Sequence, residues 1–297
     1  MIPFIDTHRD AHGVEPICAV LEIAPSSYYA ARSRPPSARE VDDSVLLDVI
    51  ARVHRANFGV YGIRKVWKAL RRLGYSAGRD RVWRLMRQVQ LAGVTRARTT
   101  RTTRPAARGE RPADLVNRTF TASAPDRLWV ADLTYVWTRA GFAYTAFVTD
   151  AFSRRIVGWR VGTTLHAELA LDALEMAIWS RRDGDLAGLV HHSDRGVQYL
   201  SVRYTERLAG VDAVGSVGSK GDSYDNALAE TVNGLYKAEL IRRHQGAWRS
   251  ADELEAATAA WVHWWNTGRL HEACGYLPPA EYEAAYHARL RETAEAA

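Results

Sequence analysis

The hydrophobic pattern of this chain changes period near Leu128, and that change sets the fold class. Before it, apolar residues recur at helical spacing; after it, three runs read as strands, LWVADLTYVWT, FAYTAFVTDAF and RRIVGWRVG. Short turns at Gly141 and at 153–154 join the runs and predict an antiparallel meander. The order that follows, βββαβαβα, predicts an α/β fold with a mixed sheet flanked by helices.

The first third of the chain predicts small helical units. Residues 1–39 read as two short helices and a linker, because the paired prolines of RSRPPSAR stop helices. Residues 40–94 carry three apolar stripes at helical spacing, which indicates a small all-α, helix-turn-helix-like domain. We expect a basic linker over 95–120, a catalytic α/β core over 121–245 and a helical region over 246–297.

The charge of the chain is unevenly distributed. The net charge is +6, but residues 44–118 hold 18 Lys and Arg against 4 Asp and Glu, whereas residues 121–297 hold 18 against 23. A one-signed basic segment favours binding to the phosphates of double-stranded DNA. The basic side chains expected to contact DNA are Arg64, Lys65, Lys68, Arg71, Arg72, Arg81 and Arg84 of the helices and Arg96, Arg98, Arg101 and Arg104 of the linker.

Three other features exclude membrane and secreted classes. The apolar stretches are shorter than the ~20 residues that span a bilayer. The opening MIPFIDTHRD lacks the basic and apolar regions of a secretory signal. Cys18 and Cys274 lie far apart, which argues against a disulfide framework and fits a reducing compartment. We therefore expect a cytoplasmic, nucleoid-associated protein with no membrane partner.

Three acidic residues in the α/β half suggest one site. Asp132 lies in a strand-like run, Asp194 follows a second such run, and Glu230 falls in a helical pattern with 35 residues between it and Asp194. Carboxylates from separate elements suit Mg²⁺, which prefers oxygen ligands, and paired ions of this kind support phosphodiester chemistry. We predict that Asp132, Asp194 and Glu230 are the catalytic residues and hold Mg²⁺, for which Mn²⁺ can substitute.

The helix that carries Glu230 adds two candidate residues. We predict this helix over 226–243 with Asp225 as its N-cap and with Leu228, Val232 and Leu235 as its apolar stripe. Asn233 and Lys237 share a face with Glu230, and both are predicted to contact DNA, Lys237 as a point charge on a phosphate.

Other polar residues fit structural roles better. His191 and His192 precede Asp194, but no Cys or His cluster with zinc spacing accompanies them, so a structural or substrate-orienting role is expected. Asp150 lies where the second strand ends, and we expect it to cap that turn.

The blocks WVADLTYV, HHSDRGVQYLS and GDSYDNALAETVNGLYKAEL resemble the three catalytic blocks of the insertion-sequence-three family of bacterial transposases. The resemblance is to the orfB-type product, which has a retroviral-integrase-like core with the acidic DDE triad. The opening residues, the segment NFGVYGIRKVWKALRRLGYSAGRDRVWRLMRQVQLAG and the block WWNTGRLHEACGYLPPAEYE are also similar to parts of that product, so the resemblance spans nearly the whole chain.

This resemblance implies a ribonuclease-H-like fold in which Asp132, Asp194 and Glu230 bind Mg²⁺. Water would free a 3′-OH at the end of an insertion sequence, and that hydroxyl would attack another DNA strand. The implied partners are double-stranded DNA of the element ends and of the target, further copies of the chain in a homo-multimer on DNA, and an upstream-frame, orfA-type product.

Two alternatives remain open on the sequence. A metal-dependent nuclease without strand transfer would use the same acids, although Lys237 and the glycine-rich loop SVGSKGDSYD favour joining. A DNA-binding regulator or inhibitor of transposition would need only the basic segment 44–118, and the intact acids argue against it.

Overall fold

A single mixed sheet of five strands organises the α/β half of the protein. The computed structural model describes residues 1–95, 116, 120–194, 196–217 and 226–296. The strands are β1 (Leu128–Thr138), β2 (Gly141–Asp150), β3 (Ile156–Gly162), β4 (Val190–Ser193) and β5 (Val214–Val217). Their order across the sheet is β3-β2-β1-β4-β5, with β1, β2 and β3 antiparallel and β4 and β5 parallel to β1. The predicted meander and the order of elements are confirmed.

Eleven α-helices occur in the described part of the chain. They are α1 (Ile2–His12), α2 (Val14–Val20), α3 (Pro25–Ser33), α4 (Ala38–Ala56), α5 (Ile63–Arg72), α6 (Arg79–Gln88), α7 (Ala167–Ser180), α8 (Val202–Ala209), α9 (Ala227–Glu239), α10 (Ala251–Thr267) and α11 (Pro279–Glu295). Residues 1–39 thus contain α1 in addition to the two short helices expected from the sequence, and α4 begins earlier than its apolar stripe indicates.

The strand β1 is longer than its parallel neighbour, and this difference creates the edge on which the site is built. It pairs with β2 along nearly its whole length, from Trp129 to Thr138, but with β4 only from Leu128 to Ala131. The four residue pairs with β4 end at Ala131 opposite Ser193. The next residues along the two parallel strands are Asp132, which is still within β1, and Asp194, which follows the end of β4, so the two lie side by side.

One face of the sheet is covered by α7, which supplies most of the core. Leu174 and Ala177 are completely buried there, together with Trp129 of β1. The helix approaches β3 so closely that a Cβ on Gly158 would lie 2.0 Å from the carbonyl oxygen of Ala173. Only glycine fits at this position, because such a contact is far inside van der Waals distance.

The helix α9 packs close to β1. Its buried positions include Ala229, Val232 and Tyr236, and the Tyr236 hydroxyl lies 2.7 Å from Thr258 Oγ1 of α10. The predicted stripe of Leu228, Val232 and Leu235 is thus corrected to one that runs through 229, 232 and 236.

The bounds of α9 also differ from the prediction. It begins at Ala227 and ends at Glu239, and its N-cap is Asn226, whose side-chain amide donates to the Ala131 carbonyl at 2.9 Å. This bond occupies the Nδ2 of Asn226, whereas its Oδ1 is buried without a hydrogen-bond partner among the described residues. The predicted cap, Asp225, lies outside the described residues.

The chain forms two compact units, residues 1–50 and 51–297. In the first unit Ile5, Cys18 and Tyr28 form a small buried cluster, and the Tyr28 hydroxyl donates to Asp6 at 2.8 Å. Both cysteines of the chain are free and buried.

The second unit contains α5 and α6 together with the sheet and the C-terminal helices. Tyr61, just before α5, is completely buried, and its hydroxyl accepts from the backbone N–H of Leu270 at 2.7 Å. No helix in the described ranges is long and apolar enough to cross a membrane.

A buried acidic residue of α11 ties the C-terminal helix to the sheet. Glu283 accepts hydrogen bonds from Arg155, Arg181 and Ser153. Burial acts to raise the pKa of Glu283, but the two guanidinium groups outweigh it and hold that pKa below its ordinary value. The carboxylate is therefore charged at neutral pH and stabilises two arginines.

The turn beside this carboxylate is capped as the sequence predicts. Asp150 Oδ1 accepts from the backbone N–H of Ser153 at 2.8 Å, and Oδ2 accepts from the backbone N–H of Asp126 at 2.8 Å. Burial raises the pKa of Asp150 to about 6. The capping role predicted for Asp150 is confirmed.

Replacing Glu283 with Ala should lower the free energy of unfolding by about 3–5 kcal/mol, because it leaves the buried Arg181 side chain with less compensating charge. The loss should shrink as the pH falls below about 4, where protonation of Glu283 removes the same interaction from the wild type. Urea unfolding of the wild type and of Glu283→Ala measures this loss of free energy. Glu292→Ala, an exposed change in the same helix, is the control, and equal losses for the two variants would contradict the assignment.

Candidate active site

The register of β1 and β4 brings the first two predicted acids together. The Oδ1 of Asp132 accepts from the backbone N–H of Leu133 at 2.8 Å, and its Oδ2 accepts from Asn233 Nδ2 of α9 at 2.8 Å. Beside it, Asp194 Oδ1 accepts from the backbone N–H of Gly196 at 2.8 Å. Both carboxylates are thus held by donors from rigid backbone or from a packed helix.

The electrostatics of these carboxylates show that they share one site. Burial, and then the charge of Asp194, raise the pKa of Asp132 to about 7, and the charge of Glu230 adds to this. Desolvation also raises the pKa of Asp194, against the opposing effects of the Gly196 N–H and His192. Like charges held together in partly dehydrated surroundings disfavour full ionisation unless a cation compensates them.

The third acid lies at the start of α9. Glu230 is exposed in the first turn of the helix, and its charge is close enough to affect Asp132. In the part of the chain that the structure describes, no group of three His, Cys, Asp or Glu side chains is already closed around a metal position. The structure therefore brings Asp132, Asp194 and Glu230 into one electrostatic neighbourhood rather than into a finished ligand cage.

Two buried polar atoms near the acids have no hydrogen-bond partner among the described residues. They are the hydroxyl of Tyr199 and the Oδ1 of Asn233. Burial, followed by the charge of Asp132, raises the pKa of Tyr199 well above its ordinary value, so the hydroxyl stays protonated. Unpaired polar atoms beside converging carboxylates suit a hydrated hard cation, whose bound waters would supply hydrogen bonds to both. The donor set therefore fits Mg²⁺.

The sequence interpretation did not include Tyr199 among the site residues. It lies five positions after Asp194, in a 3₁₀-helix over Val197–Leu200, and packs into the core beneath α7. A tyrosine in a short polar stretch next to a candidate metal ligand is the one sequence signal that would have drawn attention to it.

The structure gives Asn233 an environment different from the predicted DNA contact. It is buried, and its amide is occupied by Asp132. Because a side chain under the helix cannot reach a DNA backbone without repacking, the geometry makes it a group that positions Asp132.

Lys237 is half-buried in α9, about one turn after Asn233 and two turns after Glu230. Its Nζ is 4.8 Å from the centre of the Tyr135 ring. Burial and the neighbouring Arg242 lower its pKa, whereas the charge of Asp132 acts in the opposite direction. The ammonium group is therefore within electrostatic reach of the acids.

The two histidines before Asp194 are structural. His191 Nε2 lies 3.1 Å from the Tyr204 hydroxyl, and His192 Nδ1 lies 2.9 Å from Ser216 Oγ. Both rings are buried, and burial lowers the pKa of His191 to about 4. His191 is therefore a neutral imidazole paired with a core hydroxyl, and His192 is paired with a buried hydroxyl, which favours the structural alternative for these residues.

Several basic residues predicted to contact DNA have partners within the second unit. Arg64 pairs with Glu272 at 3.0 Å, and Arg72 pairs with Glu281 at 2.8 Å. Lys65 lies against the Tyr61 ring, and burial, followed by the charge of Arg269, lowers its pKa to about 7. Arg64 and Arg72 therefore join α5 to the neighbouring C-terminal segment, and Lys65 packs on Tyr61 just before the helix.

The remaining basic residues of the helices lie on or near the surface. The group comprises Lys68 and Arg71, which lie over the Trp67 ring, and Arg81 and Arg84 of α6. The linker residues Arg96, Arg98, Arg101 and Arg104 lie outside the described residues.

Comparison with known proteins places this geometry in a class. Residues 122–223 and 215–279 match profiles of the integrase core domain, and residues 40–99 match that of an HTH-like domain. Among solved structures, the HTLV-2 integrase catalytic core domain in complex with magnesium aligns with a TM-score of 0.42 and 16% identity over 54% of this chain and 98% of that chain. The matched profiles and the five-stranded mixed sheet define an integrase-core protein with a ribonuclease-H-like fold, as predicted.

Curated relatives narrow the class to a family. The transposase for insertion sequence element IS629 of Shigella sonnei is 49% identical over 298 residues, covering 98% of each chain. A Mycobacterium tuberculosis protein named for insertion sequence element IS986/IS6110 is 54% identical over 277 residues, covering 92% of this chain and 99% of that protein. This chain belongs to the insertion-sequence-three family of transposases, and the predicted resemblance is confirmed.

Without metal, the free energy of unfolding should rise as the pH falls from about 7 towards 5, because the folded protein takes up a proton at Asp132 that the unfolded chain does not. The slope expected from one such group approaches about 1.4 kcal/mol per pH unit. Chemical unfolding of the wild type and of Asp132→Asn in EDTA gives the free energy of unfolding of each protein at each pH. The difference between the two pH profiles isolates the contribution of Asp132. Parallel pH profiles for the two proteins would contradict the raised pKa of Asp132.

Proposed function

We propose that this chain catalyses Mg²⁺-dependent cleavage of DNA at the ends of an insertion sequence and transfer of the freed 3′ ends to target DNA. Asp132, Asp194 and Glu230 are the catalytic residues and the metal ligands of this proposal. The observation that supports it most strongly is the pairing of β1 with β4, which sets two carboxylates side by side; burial and then the charge of Asp194 raise the pKa of Asp132.

The three acids fit different parts of this role. Asp132 is fixed from both sides, by the Leu133 N–H and by Asn233, so it would be the most rigidly held of the metal ligands. Asp194 and Glu230 approach from the end of β4 and from α9 and would complete the two positions. When bound, Mg²⁺ polarises the attacking oxygen and neutralises charge on the phosphate and the leaving oxygen.

Lys237 is proposed to hold the DNA strand beside the acids. Its ammonium group is half-buried, lies over Tyr135 and is attracted by Asp132. A point charge in partly dehydrated surroundings interacts more strongly with a phosphate than one in open solvent does. This contact would place the scissile phosphate next to the carboxylates.

The DNA-binding part of the proposal rests on the helix-turn-helix-like region over 40–94 and the basic linker over 95–120. Within the described residues Lys68, Arg71, Arg81 and Arg84 are the proposed phosphate contacts. The proposed substrates are double-stranded element ends and target DNA. Assembly of several copies on DNA, cooperation with an orfA-type product and a place at the bacterial nucleoid complete the proposal.

Asp132→Asn, Asp194→Asn and Glu230→Gln should each lower the yield of joined product by about 1,000-fold or more, since each removes several kcal/mol of transition-state stabilisation. The assay incubates full-length protein with Mg²⁺, a labelled element end and a target plasmid. Binding of the end, measured by fluorescence anisotropy, should stay within about 2-fold of wild type.

The control for these variants is Asp183→Asn, which removes an exposed acid after α7. Joining that survives in any one acid variant would refute the assignment of that residue. If the wild type yields cleaved DNA but no joined DNA, the protein is a nuclease. If it binds DNA and yields neither cleaved nor joined DNA, it is a regulator.

Asn233→Ala should lower strand joining by about 10- to 100-fold and raise the Mg²⁺ concentration needed for half-maximal activity, as expected when a group that orients a metal ligand is lost. Asn233→Asp should be more damaging, because it places a like charge 2.8 Å from Asp132. Gln245→Ala, at an exposed position, is the control. A variant with weaker DNA binding and an unchanged Mg²⁺ requirement would instead support the original prediction that Asn233 contacts DNA.

A further inference from the structure

Three large aromatic side chains lie exposed on the hairpin formed by β1 and β2. Tyr135, Trp137 and Phe142 are 52%, 61% and 47% exposed, and together they form what we call the aromatic hairpin face. The ring of Phe142 lies 4.8 Å from that of Trp137 and 5.7 Å from that of Tyr135. A contiguous exposed patch of this kind usually marks an interaction site rather than unfinished packing.

The strand register explains why these rings share a face. Trp137 lies opposite Phe142, and Tyr135 lies opposite Tyr144, so the aromatic side chains point to the same side of the sheet. The helix α7 covers this side only as far as Leu133 and Tyr144, which are partly buried against the core. The intervening residue Val136 is buried, so the exposure belongs to one face of the hairpin only.

The aromatic hairpin face is connected to the candidate active site through Lys237. Asp132 and Trp137 lie on the same strand, five residues or about 16 Å apart, so their side chains point to opposite faces of the sheet. Tyr135 lies between them, and its ring is the one that the ammonium group of Lys237 covers. A DNA strand held by Lys237 at the acids would therefore meet the aromatic rings next.

The charges around the rings favour a polyanion. Between Leu133 and Thr149 the hairpin contains no Asp or Glu, and its one charged residue is Arg139 in the turn. Two further cations, Lys237 and the exposed Arg242, lie on the side of the hairpin that is nearer the acids. The charge of Arg242 acts on Lys237. Exposed rings interleaved with cations are the arrangement with which proteins bind unpaired nucleic-acid strands, because bases stack on the rings and phosphates meet the cations.

We propose that the aromatic hairpin face stacks the unpaired bases of the DNA strand that leads away from the scissile phosphate. The ligand class is single-stranded or frayed DNA, and the inference rests on the proposed function in that it uses the same strand. A second copy of the chain is the competing occupant, but the charged residues named at this face, Arg139 and Lys237, are both cations, so two identical copies would bring like charges together there.

The test measures equilibrium binding of full-length protein to an oligonucleotide of about 12 nucleotides, within the site size of single-strand binders. The same sequence is compared as a single strand, as a fully paired duplex and as a duplex with a mismatched end. A 2-aminopurine in the strand reports stacking through quenching of its fluorescence. Trp137→Ala should weaken binding of the single strand and of the frayed end by about 5- to 100-fold and abolish the quenching, the range expected for loss of one stacked base.

Two further variants separate stacking from other effects. Trp137→Phe keeps a ring and should retain most of the affinity, and Trp179→Ala removes an equally exposed tryptophan at the end of α7 and should change nothing. Phe142→Ala repeats the test at a second ring. Unchanged single-strand binding in Trp137→Ala, or equal loss for the single strand and the paired duplex, would overturn the proposal. So would sedimentation that shows Trp137→Ala dissociating a multimer of free protein.

The outcome of the single-strand binding test does not depend on whether the protein joins DNA. Asp132→Asn should bind and quench the single strand as the wild type does while joining no DNA. If Trp137→Ala behaves as wild type in binding and Asp132→Asn still abolishes joining, the stacking proposal fails and the proposed function stands. If Asp132→Asn joins DNA normally while Trp137→Ala loses single-strand binding, the proposed role of Asp132 fails and the stacking proposal stands.

Discussion

The parallel pairing of β1 with β4 is the constraint on which the rest of the structure depends. Four residue pairs, ending at Ala131 opposite Ser193, determine that Asp132 within β1 and Asp194 just after β4 lie side by side. Because side chains alternate along a strand, a shift of one residue in this register would turn one carboxylate to the other face. The core under α7 fixes the register, since Trp129 and Ala131 are buried on that side. Packing on the face of the sheet opposite to Asp132 therefore sets the geometry of the acids.

The same constraint makes the site unfavourable in the absence of a cation. Burial and like charge raise the pKa of Asp132 to about 7, although two hydrogen bonds act to lower it. The hydroxyl of Tyr199 adds a buried polar atom without a partner in the described residues. Unfavourable features of this kind concentrate at functional sites, where a ligand relieves them. The surrounding sheet and helices offset the cost, and the buried Glu283 with its arginines is one part of that support.

Local pattern was sufficient to predict the order of the elements and the three acids, because both are encoded in short segments. The strand runs have a period of two, and each acid lies in a distinctive block. Contacts between residues that are far apart in the sequence could not be predicted from local pattern. Asn233 meets Asp132 across 101 residues, and Arg64 meets Glu272 across 208, so neither pairing leaves a local signal. DNA contacts were predicted for Asn233 because it shares a helix face with Glu230 and for Arg64 because it belongs to a basic helix face, and neither pattern indicates the partner that the fold supplies. The helix α1 was missed because its polar residues hide a single buried position, Ile5.

The most direct test of the account is the position of Mn²⁺ in crystals of the protein, located by anomalous scattering. The account predicts one ion bonded to Asp132 and Asp194 and a second bonded to Asp132 and Glu230, with metal–oxygen distances of about 2.1 Å and the ions about 3.5–4 Å apart. Anomalous peaks elsewhere, with these carboxylate oxygens free of metal at saturating Mn²⁺, would contradict it.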